Sequence, residues 1–101
     1  METLLSIAHW NKLTFGSSLK EQRDKVKEEF EEFTEAYSIE ELADVIIAII
    51  GLARFGGKWK LLFYSVLSLG KERFTPESIY NAVQLKMEIN RARKWEGQHH
   101  I

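Results

Sequence analysis

Apolar positions recur along this chain with the period of an α-helix, and the breaks between periodic stretches fall at Gly, Ser and a single Pro. Residues 2–14 carry Leu4, Leu5, Ala8 and Leu13 at helical spacing and stop near Phe15-Gly16, which predicts a first helix with that apolar side turned inward. Ser18 followed by Glu21 has the Ser-x-x-Glu form of a capping box, so a second helix is expected over about 18–37. From Val26 onward, Val26, Phe30, Phe33 and Tyr37 follow an i, i+4, i+7, i+11 pattern and define its buried stripe. Ser38 with Glu41 repeats the capping form and opens a third helix over about 39–55, where Val45-Ile46-Ile47-Ala48-Ile49-Ile50 is apolar nearly all round. Such a helix belongs at the centre of a bundle or in an interface.

Gly56-Gly57 is expected to stop the third helix, and a shorter fourth to span about 58–69, with Trp59, Leu62, Phe63, Val66 and Leu67 on a wide apolar face ending near Gly70. Thr75-Pro76-Glu77 combines an N-cap, a proline at the first helical position and an acid in the first turn, and starts a fifth helix over about 76–95. Beta-branched clusters bounded by turn residues are scarce, and there is no internal repeat. The pattern predicts one all-α domain over residues 1–101, a compact bundle of four to five helices. A chain of 101 residues with two very apolar helices is expected to bury them against another copy.

Composition narrows the function classes. The net charge of -1 leaves no electrostatic footprint for a nucleic-acid polymer or an anionic membrane. With no cysteine there is no disulfide framework, thiolate metal site or thiol nucleophile. The N-terminus lacks a basic segment followed by an apolar one, and no apolar run reaches the length of a membrane span, so a cytoplasmic protein is expected. The charges are nevertheless uneven: Glu21 to Asp44 holds ten acidic residues against three basic ones, whereas Arg91 to Lys94 places three basic residues in four positions. An acidic centre and a basic tail on one small domain suit a metal site beside an anion site.

Within the acidic stretch, Glu29 and Glu32 form a Glu-x-x-Glu motif on the second helix, and Glu41 and Asp44 a Glu-x-x-Asp motif on the third. Glu29 and Glu32 flank the buried stripe one turn apart, while Glu41 and Asp44 share a face with Ala48 and Leu52. The hinge at Tyr37-Ser38 is tight, so the two helices are expected to lie antiparallel and bring the four carboxylates together. No Lys or Arg lies between Lys27 and Arg54, which makes a divalent cation the candidate counter-charge. Hard oxygen donors suit Mg²⁺ or Mn²⁺. Each acid alone reads as solvated helix surface, and Glu41 as the capping partner of Ser38. Asp44, set beside Val45 and one turn before Ile47, has no such local role.

On the fifth helix, Lys86, Asn90 and Arg93 stand at i, i+4 and i+7 and continue the stripe of Ile79, Ala82 and Val83. One helix face thus changes from core packing to two cations and an amide, as suits a phosphate contact. The alternative is a helix C-terminus enriched in cations for dipole reasons. That alternative accounts for Arg91, Arg93 and Lys94 and does not account for Asn90.

Glu28-Glu29-Phe30-Glu31-Glu32 followed by Glu41-Leu42-Ala43-Asp44-Val45 resembles the signature of the MazG-like all-α nucleoside triphosphate pyrophosphohydrolases. The flanking Glu32-Phe33-Thr34-Glu35-Ala36 and the late run from Lys86 to Trp95 are similar to that family as well, so that the resemblance covers roughly residues 18–95. It implies that Glu29, Glu32, Glu41 and Asp44 hold Mg²⁺ and that water attacks the α-phosphorus of a nucleoside triphosphate, releasing monophosphate and pyrophosphate. It further implies Glu28 as general base, against the reading of an exposed surface acid. Lys86, Asn90 and Arg93 would bind substrate, and the assembly would be a homodimer or homotetramer. His9 and Trp10 are weaker candidates for a base pocket, and His99-His100 for metal binding. Two other functions fit the same residues: phosphoribosyl-ATP pyrophosphohydrolase, and a non-catalytic helical assembly module with a residual metal site.

Overall fold

The computed structural model describes residues 2–16, 18–52 and 57–93, with side chains in the last stretch described from residue 60. Among these residues five helices and no strand are found: α1 Leu4–Phe15, α2 Leu19–Ala36, α3 Ile39–Ile50, α4 Gly57–Lys71 and α5 Pro76–Ala92. No helix among the described residues is long and apolar enough to cross a membrane.

Local chemistry explains where most helices begin. Ser18 Oγ accepts from Glu21 N (3.1 Å), and the Glu21 carboxylate accepts in return from Ser18 N (3.3 Å), which closes the capping box at α2. Thr75 Oγ1 accepts from Ser78 N, and Pro76 begins α5 where no amide hydrogen is required. Thr3 and Ser6 form another capping box at α1.

α3 is the central element and packs against each of the other four helices. From Leu42 to Leu52 every residue is buried except Asp44. Each fully buried aliphatic side chain here contributes about 1.5–3 kcal/mol. At the other side of the tight hinge, Tyr37 caps α2 with a left-handed φ of 50°, its amide donating to Phe33 O. Its ring stacks on Phe33 (4.6 Å between centroids), and the Arg73 guanidinium lies over it at 4.7 Å.

Five sequence expectations are corrected. On α1, Leu4 and Leu5 are 62% and 84% exposed, and Leu13 also faces outward. The inward face is Ile7, Trp10, Asn11 and Thr14 at i, i+3, i+4 and i+7. It was obscured because half of it is polar. Asn11 Nδ2 donates to Ile7 O and to Ile47 O of α3, while Gln22 Nε2 donates to Asn11 O and Gly16 O, so amides tie α1, α2 and α3 together.

On α2, Phe30 is 36% exposed, and the buried stripe runs through Gln22, Val26, Glu29 and Phe33 instead. α3 ends at Ile50 rather than near 55: Gly51 N donates to Ala48 O and Leu52 N to Ile49 O, tightening the end into a turn. A Cβ on Gly51 would overlap Gln22 Oε1 and stand 3.0 Å from Asn11 Cβ, so the buried amide pair favours glycine there. Gly57 begins α4 instead of stopping α3, and Gly56 lies outside the described residues. α5 ends at Ala92 rather than near 95, with Lys94, Trp95, His99 and His100 outside the described residues.

Arg91 has a role that the dipole reading missed. Its guanidinium grips both Glu2 carboxylate oxygens, and Gln84 exchanges hydrogen bonds with the Glu2 backbone at 2.9 and 3.0 Å. The Arg91 hydrogen bond holds the Glu2 carboxyl below its usual pKa. This clasp fastens the chain before α1 onto α5.

Candidate metal centre

The two acidic motifs meet across the α2–α3 pair. One carboxylate oxygen from each of Glu29, Glu41 and Asp44 lies within 4.8 Å of the others. Oxygens on opposite sides of a hard divalent cation stand about 4.2–5.2 Å apart, so these three residues could hold one ion with only small side-chain adjustment. Glu29 Oε2 and Glu41 Oε2 are buried and have no hydrogen-bond partner among the described residues. Burying two carboxylate oxygens without a partner is costly. A cation between them satisfies both, which is the structural ground for a metal here.

The local folding explains why these oxygens remain available. Ser38 Oγ accepts from Glu41 N at 3.2 Å, but Glu41 does not return the bond as Glu21 does to Ser18. The capping reading therefore accounts for Ser38 and leaves the Glu41 carboxylate free to face the cluster. Asp44 interrupts the buried face of α3 and is a fifth exposed at its side chain. Desolvation raises its pKa above the usual carboxylate value, outweighing the opposing Lys86 charge.

The fourth predicted ligand takes a different position. Glu32 is exposed and falls outside the oxygen triad, joining it through Glu29. Competition with the adjacent Glu29 carboxylate for a proton raises its pKa to about 7, with desolvation and the charges of Glu29, Glu41 and Glu28 acting in the same direction.

Side chains outside the Lys27–Arg54 interval do supply counter-charge to the acids. Lys25 Nζ stands 2.8 Å from Glu29 Oε1 and 3.8 Å from Glu28 Oε2, and Lys86 Nζ stands 3.3 Å from Asp44 Oδ2. Lys25 comes from the preceding turn of α2 and Lys86 from α5. The first was legible as an i, i+4 pair with Glu29. The second required knowing that α5 lies against α3.

These residues open onto a cleft of about 240 Å³. Glu28, Glu29, Glu32 and Asp44 line it from α2 and α3, while Lys86, Asn90 and Arg93 line it from α5. Apart from Glu41, which reaches the cluster without lining the cleft, the predicted acidic and basic groups share one cavity. Trp10 and Phe15 close the α1 side, their rings edge-to-face at 5.3 Å, and Lys25 Nζ lies 4.6 Å from the Phe15 centroid. His9 is exposed and does not line the cleft. Among the described residues, then, α2 and α3 supply a carboxylate triad, with α1 closing one side and cations on the facing α5. No family model, curated protein or solved structure matches the chain.

The raised carboxyl pKa values predict how stability of the metal-free protein depends on pH. Glu32 and Asp44 bind protons more tightly folded than unfolded, so stability falls as pH rises through the interval from their ordinary values toward about 7. The depressed Glu2 acts with opposite sign, but its stabilisation is already present above its unfolded pKa and is lost only in more acidic solution. With solvent screening of the exposed Glu32 allowed for, the carboxyl effect is on the order of 1 kcal/mol. Thermal melting in chelator should give a higher midpoint at about pH 5.5 than at about pH 8, with the difference reduced by excess divalent cation. A midpoint rising with pH over that range would contradict the assignment.

Proposed function

We propose that this chain is a Mg²⁺-dependent hydrolase of ribo- or deoxyribonucleoside triphosphates, of the MazG-like type that its two motifs resemble. The observation that carries the reading is the facing of carboxylates from α2 and α3 against Lys86, Asn90 and Arg93 in a single cleft. Acids alone would suit any cation site. Acids opposite an ammonium, an amide and a guanidinium suit a metal–polyphosphate complex.

Glu29, Glu41 and Asp44 would hold the ion directly, with Glu32 joined to them through Glu29. All-oxygen donors and an open side facing the cleft favour Mg²⁺, with Mn²⁺ able to substitute. When bound, Mg²⁺ supplies the charge that offsets negative charge developing on the phosphoryl oxygens. Lys86 and Arg93 hold the phosphate chain, and Asn90 offers an amide donor. Glu28, exposed at the rim beside Lys25, takes the proton from the water attacking the α-phosphorus. Pockets that enclose a whole small molecule run to about 300–1,000 Å³. The 240 Å³ cleft therefore suits the polyphosphate end, with the nucleoside beyond it. The same reading expects a homodimer or homotetramer, supported by the exposed apolar side chains Leu61 and Tyr64 on α4 and Leu85 and Ile89 on α5.

The test is incubation with Mg²⁺ and a panel of ribo- and deoxyribonucleoside triphosphates plus phosphoribosyl-ATP, with products identified by phosphorus NMR. Metal-dependent release of pyrophosphate and monophosphate is expected. Orthophosphate as the product would place the cleavage at another bond. Turnover of phosphoribosyl-ATP alone would establish that narrower substrate, and no turnover across the panel would leave a non-catalytic metal-binding module.

A further inference from the structure

Lys25 is the cleft residue that the reading above leaves without a task. Its ammonium lies against the Glu29 carboxylate at 2.8 Å and reaches Glu28 at 3.8 Å, so it touches both a metal-binding acid and the general base. The side chain is only 16% exposed, and its charged end lies over the Phe15 ring. Across the cavity, Lys86 holds Asp44 in the same way. Two of the three carboxylates in the triad therefore carry an ammonium partner, while Glu41 Oε2 and the second oxygen of Glu29 have no hydrogen-bond partner among the described residues.

Resting on the proposed metal–triphosphate reading, we propose that Lys25 acts with Lys86 as an internal counter-ion, released from the acids to the phosphates on substrate binding. A bare divalent cation entering this cluster meets two positive charges within a few ångströms and binds weakly. A metal–triphosphate complex brings its own anionic oxygens, which take over both ammonium groups as the metal takes over the carboxylates. Charge balance is kept at every stage, so the site favours the metal with its polyphosphate over the metal alone. Lys25 is thus a positioning and selectivity residue whose removal has opposite consequences for the two ligands.

Lys25→Met preserves the aliphatic contact with Phe15 and removes the charge, whereas Lys25→Arg keeps the charge. Binding of Mn²⁺ alone, followed by electron paramagnetic resonance of the free ion, should tighten about tenfold in Lys25→Met and stay near the wild-type value in Lys25→Arg. Binding of the Mn²⁺ complex of a non-hydrolysable α,β-methylene nucleoside triphosphate, followed by calorimetry, should weaken in Lys25→Met. Circular dichroism establishes that each variant is folded, and Lys25→Gln replaces Lys25→Met if the latter is not. Unchanged or weaker Mn²⁺ binding in the neutral variant would overturn the proposal, as would Lys25→Arg behaving like Lys25→Met, or both ligands shifting in the same direction. The bare-metal measurement needs no turnover. Tightened Mn²⁺ binding in a protein that hydrolyses no nucleotide would refute the proposed function while upholding the counter-ion, and turnover without tightening would do the reverse.

Discussion

Glu41→Gln is expected to reduce turnover on the order of 10²–10³-fold and to leave the metal-free fold at least as stable as before. The two effects have one source. Glu41 carries a buried carboxylate oxygen with no hydrogen-bond partner among the described residues, and its charge helps to push the pKa values of Glu32 and Asp44 upward. Glutamine retains the shape, removes that repulsion and offers an amide hydrogen to a neighbouring carboxylate. The cluster is then easier to fold and worse at gripping a cation. Steady-state kinetics, Mn²⁺ affinity and the thermal midpoint in chelator measure the three consequences separately. Near-normal turnover, or a variant that loses metal binding only because it unfolds, would remove Glu41 from the site.

Leu42→Ala should cost about 2–5 kcal/mol, which for a domain of this size lowers the melting midpoint by about 8 °C or more. Leu42 is fully buried, and one of its methyl carbons lies 2.6 Å from where a Cβ on Gly70 would stand, with Ile79 close by. It therefore fills the junction of α3 with α4 and α5, where the absence of a side chain on Gly70 lets the helices approach. Truncation leaves a cavity that the surrounding helices can close only in part. Leu42 precedes Asp44 by two positions, about 200° around α3, so Mn²⁺ affinity of the folded variant should change little. Equilibrium denaturation measures the loss, and a cost below about 1 kcal/mol would show that this junction repacks freely.

The contrast between these substitutions shows which features were legible from the chain. Capping residues Ser18, Ser38 and Thr75 act on amides within their own first turn, so helix starts follow from adjacent residues. The Glu-x-x-Glu and Glu-x-x-Asp spacing was equally local, and the two-residue hinge at Tyr37-Ser38 brought the motifs face to face. The inward side of α1 was not legible, because Asn11 is buried by bonds to backbone 36 residues away while Leu4 and Leu5 stay exposed. Phe30 was misjudged for a related reason: its hydrophobicity competes with the better-placed Gln22 and Glu29, whose Nε2 and Oε1 atoms find partners within the fold.

The order and type of the helices, the central place of α3 and the pairing of its acids with those of α2 were written in the sequence, since periodicity and caps operate over one or two turns. Which cations meet those acids, that Glu32 joins the cluster only through Glu29, and that Arg91 clasps Glu2 depended on the tertiary structure. Those contacts join side chains whose separation is set by how helices stack, and helix stacking is a property of the filled core rather than of any one segment.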